Sequence, residues 1–148
     1  MSEFLEAMVD KFIFKVATDR LYSAEGLWLK TEENQVRVGV SDFFQQHNGD
    51  VAFAEMNPVG KQVNAGSRLA TIETMKVNIE LPSPITGEIV QVNPELVTAP
   101  EVINRDPFGA GWLVVIKASD WNNEKTRLLD PKSYFSRMKA DAEREVNS

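Results

Sequence analysis

The 148-residue chain contains no cysteine and a single histidine, His47. Without a thiolate there is no sulfur nucleophile, no disulfide, no iron–sulfur cluster and no thiolate zinc site. One imidazole cannot build a histidine-rich metal site, so no metal is expected. Long apolar runs are missing as well. None approaches the roughly 20 residues that cross a bilayer, and no membrane association is expected. Basic residues are neither in excess nor clustered. The formal charge is −6, with extra acid near the C-terminus. That balance disfavours nucleic acid, whose phosphates reward clustered Lys and Arg. The first ten residues lack a basic segment followed by an apolar one, and they are too acidic for an organellar transit peptide. The expectation is a cytoplasmic protein of a prokaryote. No carboxylate pair, nucleophile–base couple or phosphate-binding loop stands out, so the chain is expected not to be an enzyme.

What remains is an ordinary folded composition, 43% hydrophobic and 26% charged, in a chain long enough to bury one real core. Met1 to about Asp10 is expected to be a short helix, and Phe12 to Val16 has strand character. Leu21 to Lys30 is punctuated by Ser23 and Gly26. Gln35 to Val40 alternates as a strand does. Ser41 supplies an N-cap for a helix over Asp42 to His47, which Asn48-Gly49 ends. From Asp50 the pattern is nearly all β. Val51 to Glu55 is a strand, Pro58-Val59-Gly60 and Asn64-Ala65-Gly66 are turns, and Pro84 to Gly87 is another. Glu88 to Val92 and Gly111 to Lys117 complete the strands, with an irregular loop from Pro94 to Asp106 between them. A C-terminal helix is expected from about Pro131 to Glu145, with Tyr134, Phe135 and Met138 as its packing stripe. Short strands joined by Gly and Pro turns predict a small sandwich or barrel.

The most informative stretch is Ile72-Glu73-Thr74-Met75-Lys76-Val77-Asn78. Alternating apolar runs, Arg68 to Ile72 and Val77 to Leu81, flank a short turn and read as a β-hairpin with Lys76 at its tip. A lysine there is either an ordinary solvated side chain or an amine held clear of the body for another protein to acylate. Its flanks decide between the two. Val38-Gly39-Val40-Ser41, His47-Asn48-Gly49-Asp50-Val51, Pro58-Val59-Gly60 and Gly66 precede the hairpin. Ser83-Pro84, Gly87-Glu88-Ile89-Val90, Val92-Asn93, Leu96, Pro100, Ile103-Asn104, Asp106-Pro107-Phe108 and Gly111-Trp112 follow it. In that order and spacing the chain resembles the H protein family of the glycine cleavage system, within the biotinyl/lipoyl-carrier superfamily, over about Tyr22 to Ile116.

The resemblance implies a mainly β fold: a barrel-sandwich hybrid of two small antiparallel sheets with short flanking helices and a C-terminal helix. It implies an N-terminal extension over 1–20, a carrier domain over 21–118 and a helical segment over 119–148 packed on that domain. It implies lipoate joined covalently to Lys76, with Glu73, Thr74, Met75 and Val77 forming the attachment hairpin. The implied role is a non-catalytic carrier, monomeric, moving an aminomethyl or reduced lipoyl group between enzymes. Its implied partners are a lipoate ligase or lipoyl transferase, glycine decarboxylase, aminomethyltransferase and dihydrolipoyl dehydrogenase. The sulfur chemistry belongs to the cofactor. Met75 before Lys76 is shared with biotin carriers, but Val77 replaces the second methionine they show, and Thr74 suits lipoyl domains.

One block departs from the family. Where the pattern is Tyr-x-x-x-His-Glu-Trp, this chain has Tyr22-Ser23-Ala24-Glu25-Gly26-Leu27-Trp28. The family Glu belongs to a cleft that shelters the loaded arm, and a leucine cannot pair with an amine. Glu25, His47 and Glu80 are the candidates for an arm-docking cleft here. A carrier for another lipoate-dependent pathway, such as heterodisulfide-reductase-like sulfur metabolism, is the main alternative. A biotin carrier and an unmodified scaffold are further ones. Trp28, Trp112 and Trp121 are expected to pack in the core or at its rim. Asn93, Asn104 and Asp106 are expected to structure loops.

Overall fold

The computed structural model describes residues 3–147. The chain runs through β1 (Phe4–Val9), β2 (Phe12–Ala17), β3 (Leu21–Tyr22), β4 (Leu27–Glu32) and β5 (Gln35–Val40). Then come α1 (Asp42–Asn48), β6 (Val51–Met56), β7 (Gln62–Val63), β8 (Arg68–Thr74), β9 (Asn78–Pro82) and β10 (Gly87–Val92). Two one-turn helices follow, α2 (Glu95–Thr98) and α3 (Val102–Arg105), before β11 (Val114–Ala118). A short helix α4 (Trp121–Glu124) leads to the C-terminal helix α5 (Pro131–Val146).

The strands form a six-stranded sheet in the order β3-β4-β5-β11-β10-β7, a three-stranded sheet β6-β8-β9, and a separate hairpin β1-β2. All pairings are antiparallel. The two larger sheets enclose the main core, which includes Leu27, Leu29, Val38, Leu69, Ile72, Leu81, Ile89 and Ile116. This is the expected mainly β sandwich with short helices. A second apolar cluster lies outside it, where Val9, Phe14 and Val16 of the N-terminal hairpin meet Tyr22, Trp28 and the Tyr134, Met138 and Ala142 stripe of α5. Those three helical residues are spaced by four, so they share one face. Phe135 packs against the same cluster from its edge.

The N-terminal segment is a strand, not the expected helix; Met1 and Ser2 lie outside the described residues. Glu, Leu, Ala and Met favour a helix locally, but alternation wins because β2 is there to pair with. Six register pairs run from Phe4↔Ala17 to Val9↔Phe12. Leu5, Ala7 and Val9 thereby face inward beneath α5. Asp10 accepts φ +57 in the turn, a conformation Asp tolerates better than most residues. The stretch expected as a loop before Asp106 contains α2 and α3. Asn93 organises its start, accepting from Glu95 N at 3.1 Å and donating to the carbonyls of Ala110 and Trp112, each at 2.8 Å. The last strand starts at Val114, not Gly111, because Gly109 to Gly111 are tied back to Asp106: Gly111 N reaches its carbonyl at 2.9 Å and Ala110 N its carboxylate at 2.9 Å.

Gly39 is required by packing. A Cβ built there would lie 2.4 Å from the Trp28 ring, closer than atoms can sit. Trp28 is buried against it and donates from Nε1 to Pro107 O at 2.9 Å. Trp112 lies beneath the Arg37 guanidinium, 4.3 Å from its ring centre, and Trp121 packs on the main core.

Candidate functional site

The β8–β9 hairpin closes on Met75 and Lys76, both exposed. Two-residue hairpin loops usually need positive φ at their central positions, and neither residue has it. The Thr74 side chain supplies what the backbone turn does not. Its Oγ1 accepts from Lys76 N at 3.1 Å and from Val77 N at 3.0 Å, and donates to Val77 O at 3.2 Å. Thr74 N reaches Val77 O at 2.8 Å. A β-branched residue with a stiff side chain therefore holds the tip in one shape. Glu73 and Asn78 form the pair below it, with Glu73 also opposite Phe53 on β6.

The tip is braced against the end of α1. Met75 N donates to Asp50 O at 3.0 Å. Asp50 is in turn held by Asn104 of α3, whose side chain accepts from Val51 N at 2.9 Å and donates to Gly49 O at 3.0 Å. Helix ends leave carbonyls without intrahelical partners, and Lys76 Nζ takes one, donating to His47 O at 2.9 Å. No carboxylate pairs with this amine among the described residues. It is exposed, anchored at its root and open to a reagent.

Phe43 and His47 stack on α1, with ring centres 5.6 Å apart and planes 13° from parallel. Together they form a wall between two cavities. On one side lies a cavity of about 230 Å³ lined by Glu25, Gly26, Phe44, Ile79 and Asp141, among others. On the other lies a groove of about 370 Å³ lined by Phe12, Phe14, Gln46, Lys76 and Glu145. His47 Nδ1 also meets a carboxylate oxygen of Glu145, closing the end of α5 onto α1.

Of the three candidates for an arm-docking cleft, the structure brings Glu25 and His47 to one cavity. Glu80 is elsewhere, exposed on β9 opposite Thr71; its neighbour Ile79 is the residue of that strand lining the cavity. The period of two in a strand makes these faces exclusive. Leu27, at the family's Glu position, is fully buried in the main core and does not line the cavity. Gly26 does, at φ +93, a backbone conformation that disfavours any side chain. Asp141 on α5 adds a second carboxylate that the hairpin-centred reading did not foresee. Phe12, Phe14 and Glu145 beside Lys76 were likewise not foreseen. Their only sequence signal is apolar patterning in the N-terminal segment, and nothing in it points towards Lys76.

Above Glu25, Tyr134 links α5 to α1. Its hydroxyl and Ser41 Oγ are 2.8 Å apart, while Ser41 Oγ also caps α1 by accepting from Phe44 N at 3.2 Å. Burial pushes the Tyr134 phenol up to about 12. Tyr22, stacked on it at 4.3 Å, is raised further for the same reason.

A family model described as the glycine cleavage H-protein matches residues 20–141. A glycine cleavage system H protein of Coprothermobacter proteolyticus is 42% identical over 107 residues, covering 72% of this chain and 84% of its own. One from Carboxydothermus hydrogenoformans is 34% identical over 128 residues, covering 86% of this chain and 98% of its own. Among solved structures, a glycine cleavage system H protein from Mycobacterium marinum matches with a TM-score of 0.73 at 30% identity, covering 81% of this chain and 96% of that one.

Proposed function

The chain belongs to the glycine cleavage H-protein family, and on that premise we propose that it is the lipoate-bearing carrier of a glycine cleavage system, with Lys76 as the attachment point. The observation that carries this reading is the exposed amine of Lys76 on a hairpin tip fixed by Thr74 and Asp50. The residues fit the group. The amine is accessible, unpaired with acid among the described residues, and rooted at a carbonyl that an amide N–H could still reach. When bound, lipoate supplies a disulfide that accepts and passes on a carbon unit and reducing equivalents.

The chain's own residues present, brace and shelter. Thr74 and Asp50 hold the tip so that the amine projects in one direction. Asn104 holds Asp50. Glu25, His47 and Asp141, the last ion-paired to Arg144, bring polar groups to a small cavity beside the hairpin that Arg137 also lines, where an amine-bearing cargo would find the Glu25 carboxylate. Leu27 does not weaken that provision, because its side chain faces the core. A lipoate ligase or lipoyl transferase attaches the group. Glycine decarboxylase, aminomethyltransferase and dihydrolipoyl dehydrogenase are then visited in turn by a monomeric carrier in the cytoplasm. The names of the relatives favour glycine cleavage over the sulfur-redox, biotin-carrier and scaffold alternatives.

Intact mass of natively expressed protein tests the attachment. The lipoyl increment is expected on wild type and not on Lys76→Arg, and glycine-dependent loading by the decarboxylase should vanish with it. A Lys76→Arg protein that still carries the increment, or a fully lipoylated wild type that glycine decarboxylase cannot load, refutes the proposal.

A further inference from the structure

Lys76 does not line the cavity that holds Glu25. It lines the groove on the far side of the Phe43–His47 wall. That groove is aromatic, with Phe12 and Phe14 from the N-terminal hairpin facing Phe43 of α1, and Gln46, His47 and Glu145 around the rim. Phe12 lies on the hairpin face that elsewhere packs inward: Phe14 is 7% exposed and Val16 0%, yet Phe12 is 47% exposed. A large ring on an inward face is thus left without enough protein against it. The hairpin precedes the residues matched by the family model, 20–141.

We propose that the groove is a second berth for the lipoyl arm, in which the alkyl chain and dithiolane borne by Lys76 rest against Phe12, Phe14 and Phe43. The inference rests on Lys76 being the attachment point. Tethering selects the occupant. The root of the arm is already at the groove, which raises its effective concentration there to the millimolar range. Weak apolar and sulfur–aromatic contacts then suffice to hold it. The groove's size, about 370 Å³, falls in the lower range of small-molecule pockets. Acylation preserves the anchor, since the new amide keeps one N–H to donate to His47 O, where Nζ now donates at 2.9 Å. In this berth the disulfide is screened from bulk reagents by a segment that the matched family region lacks.

The test uses full-length protein lipoylated in vitro by a lipoate–protein ligase and verified by intact mass. Reduction of the dithiolane by a water-soluble phosphine, which is oxidised to its oxide, reports accessibility without any partner enzyme. Wild type should be reduced more slowly than free lipoamide, and Phe12→Ser about two- to tenfold faster than wild type, as loss of one aromatic contact implies. Ile13→Ser, on the outward face of the same hairpin and 48% exposed, should match wild type, while Glu25→Gln, in the other cavity, reads whether the arm lies there instead. A Phe12→Ser rate equal to wild type overturns the berth. So does an Ile13→Ser rate as high as that of Phe12→Ser, or acceleration by Glu25→Gln, which would place the arm in the neighbouring cavity. A missing lipoyl increment on Lys76 overturns the attachment assignment itself, before any rate is measured.

Discussion

Replacing Thr74 by valine keeps the shape and β-branching of the side chain and deletes the hydroxyl that organises the tip. Two N–H donors, those of Lys76 and Val77, lose their acceptor, and Val77 O loses one donor. Each such bond is worth about 0.5–1.5 kcal/mol net. The tip is exposed, so water takes over the freed groups and the low end of that range applies. Val77 O keeps Thr74 N as a donor, so the two N–H bonds dominate, and their sum of roughly 1 kcal/mol raises the population of opened tips about fivefold. The core is remote from the change, so global stability should hardly move. Amide exchange at Lys76 and Val77 should therefore speed up about fivefold. The kcat/KM for lipoylation should fall by a similar factor, because a mobile amine is presented correctly less often. Thr74→Ser, which retains the hydroxyl, should recover most of both. If Thr74→Val exchanges and is lipoylated at wild-type rates, the hydroxyl does not hold the tip, and stiffness of the hairpin is not what fits Lys76 for the proposed attachment.

Ser41→Ala removes a helix cap worth about 0.5–2 kcal/mol and leaves the buried Tyr134 hydroxyl short of a partner, for about 1–3 kcal/mol more. Urea denaturation should show a loss of roughly 2–4 kcal/mol; less than 1 would mean that the α1–α5 link does not stabilise the fold. Gly39→Ala drives a methyl into the Trp28 ring, which a packed core resists at about 1–3 kcal/mol or more; an unchanged thermal midpoint would contradict the contact. The raised Tyr134 pKa has a definite sign. The folded phenol keeps a proton that the unfolded chain loses above pH 10, so stability is intact below pH 10 and declines as pH rises towards 12. Equilibrium unfolding from pH 9 to 12 should show that decline, and Tyr134→Phe should lessen it, the raised Tyr22 phenol supplying what remains; a slope unchanged by the substitution would assign the effect to other groups.

The hairpin that bears Lys76 was legible because its pieces are neighbours in the chain. Alternation, turn and lysine fall within about fifteen residues, and Ser41 and Gly49 mark both ends of α1 as expected. The N-terminal strand was not legible for the opposite reason. Its composition favours a helix, and only pairing with β2 and burial beneath α5 make it a strand, a case of tertiary contacts overriding local propensity. The surroundings of Lys76 were hidden in the same way. Glu80 was expected beside Glu25 because it follows the hairpin closely, yet strand register turns it outward and brings Ile79 in. Leu27 looked like a lost cleft acid, yet it belongs to the core, and Asp141 arrives from a helix more than a hundred positions away.

The amino-acid sequence alone determined that a lysine stands at the tip of a β-hairpin in a mainly β chain that contains no cysteine. Local alternation and turn chemistry suffice for that. Only the tertiary structure decided which groups surround the amine: the His47 carbonyl, the aromatic wall of Phe12, Phe14 and Phe43, and two cavities divided by one stacked pair. Those neighbours come from segments far apart in the chain, and their meeting depends on how α5 and the N-terminal hairpin bury their apolar faces together.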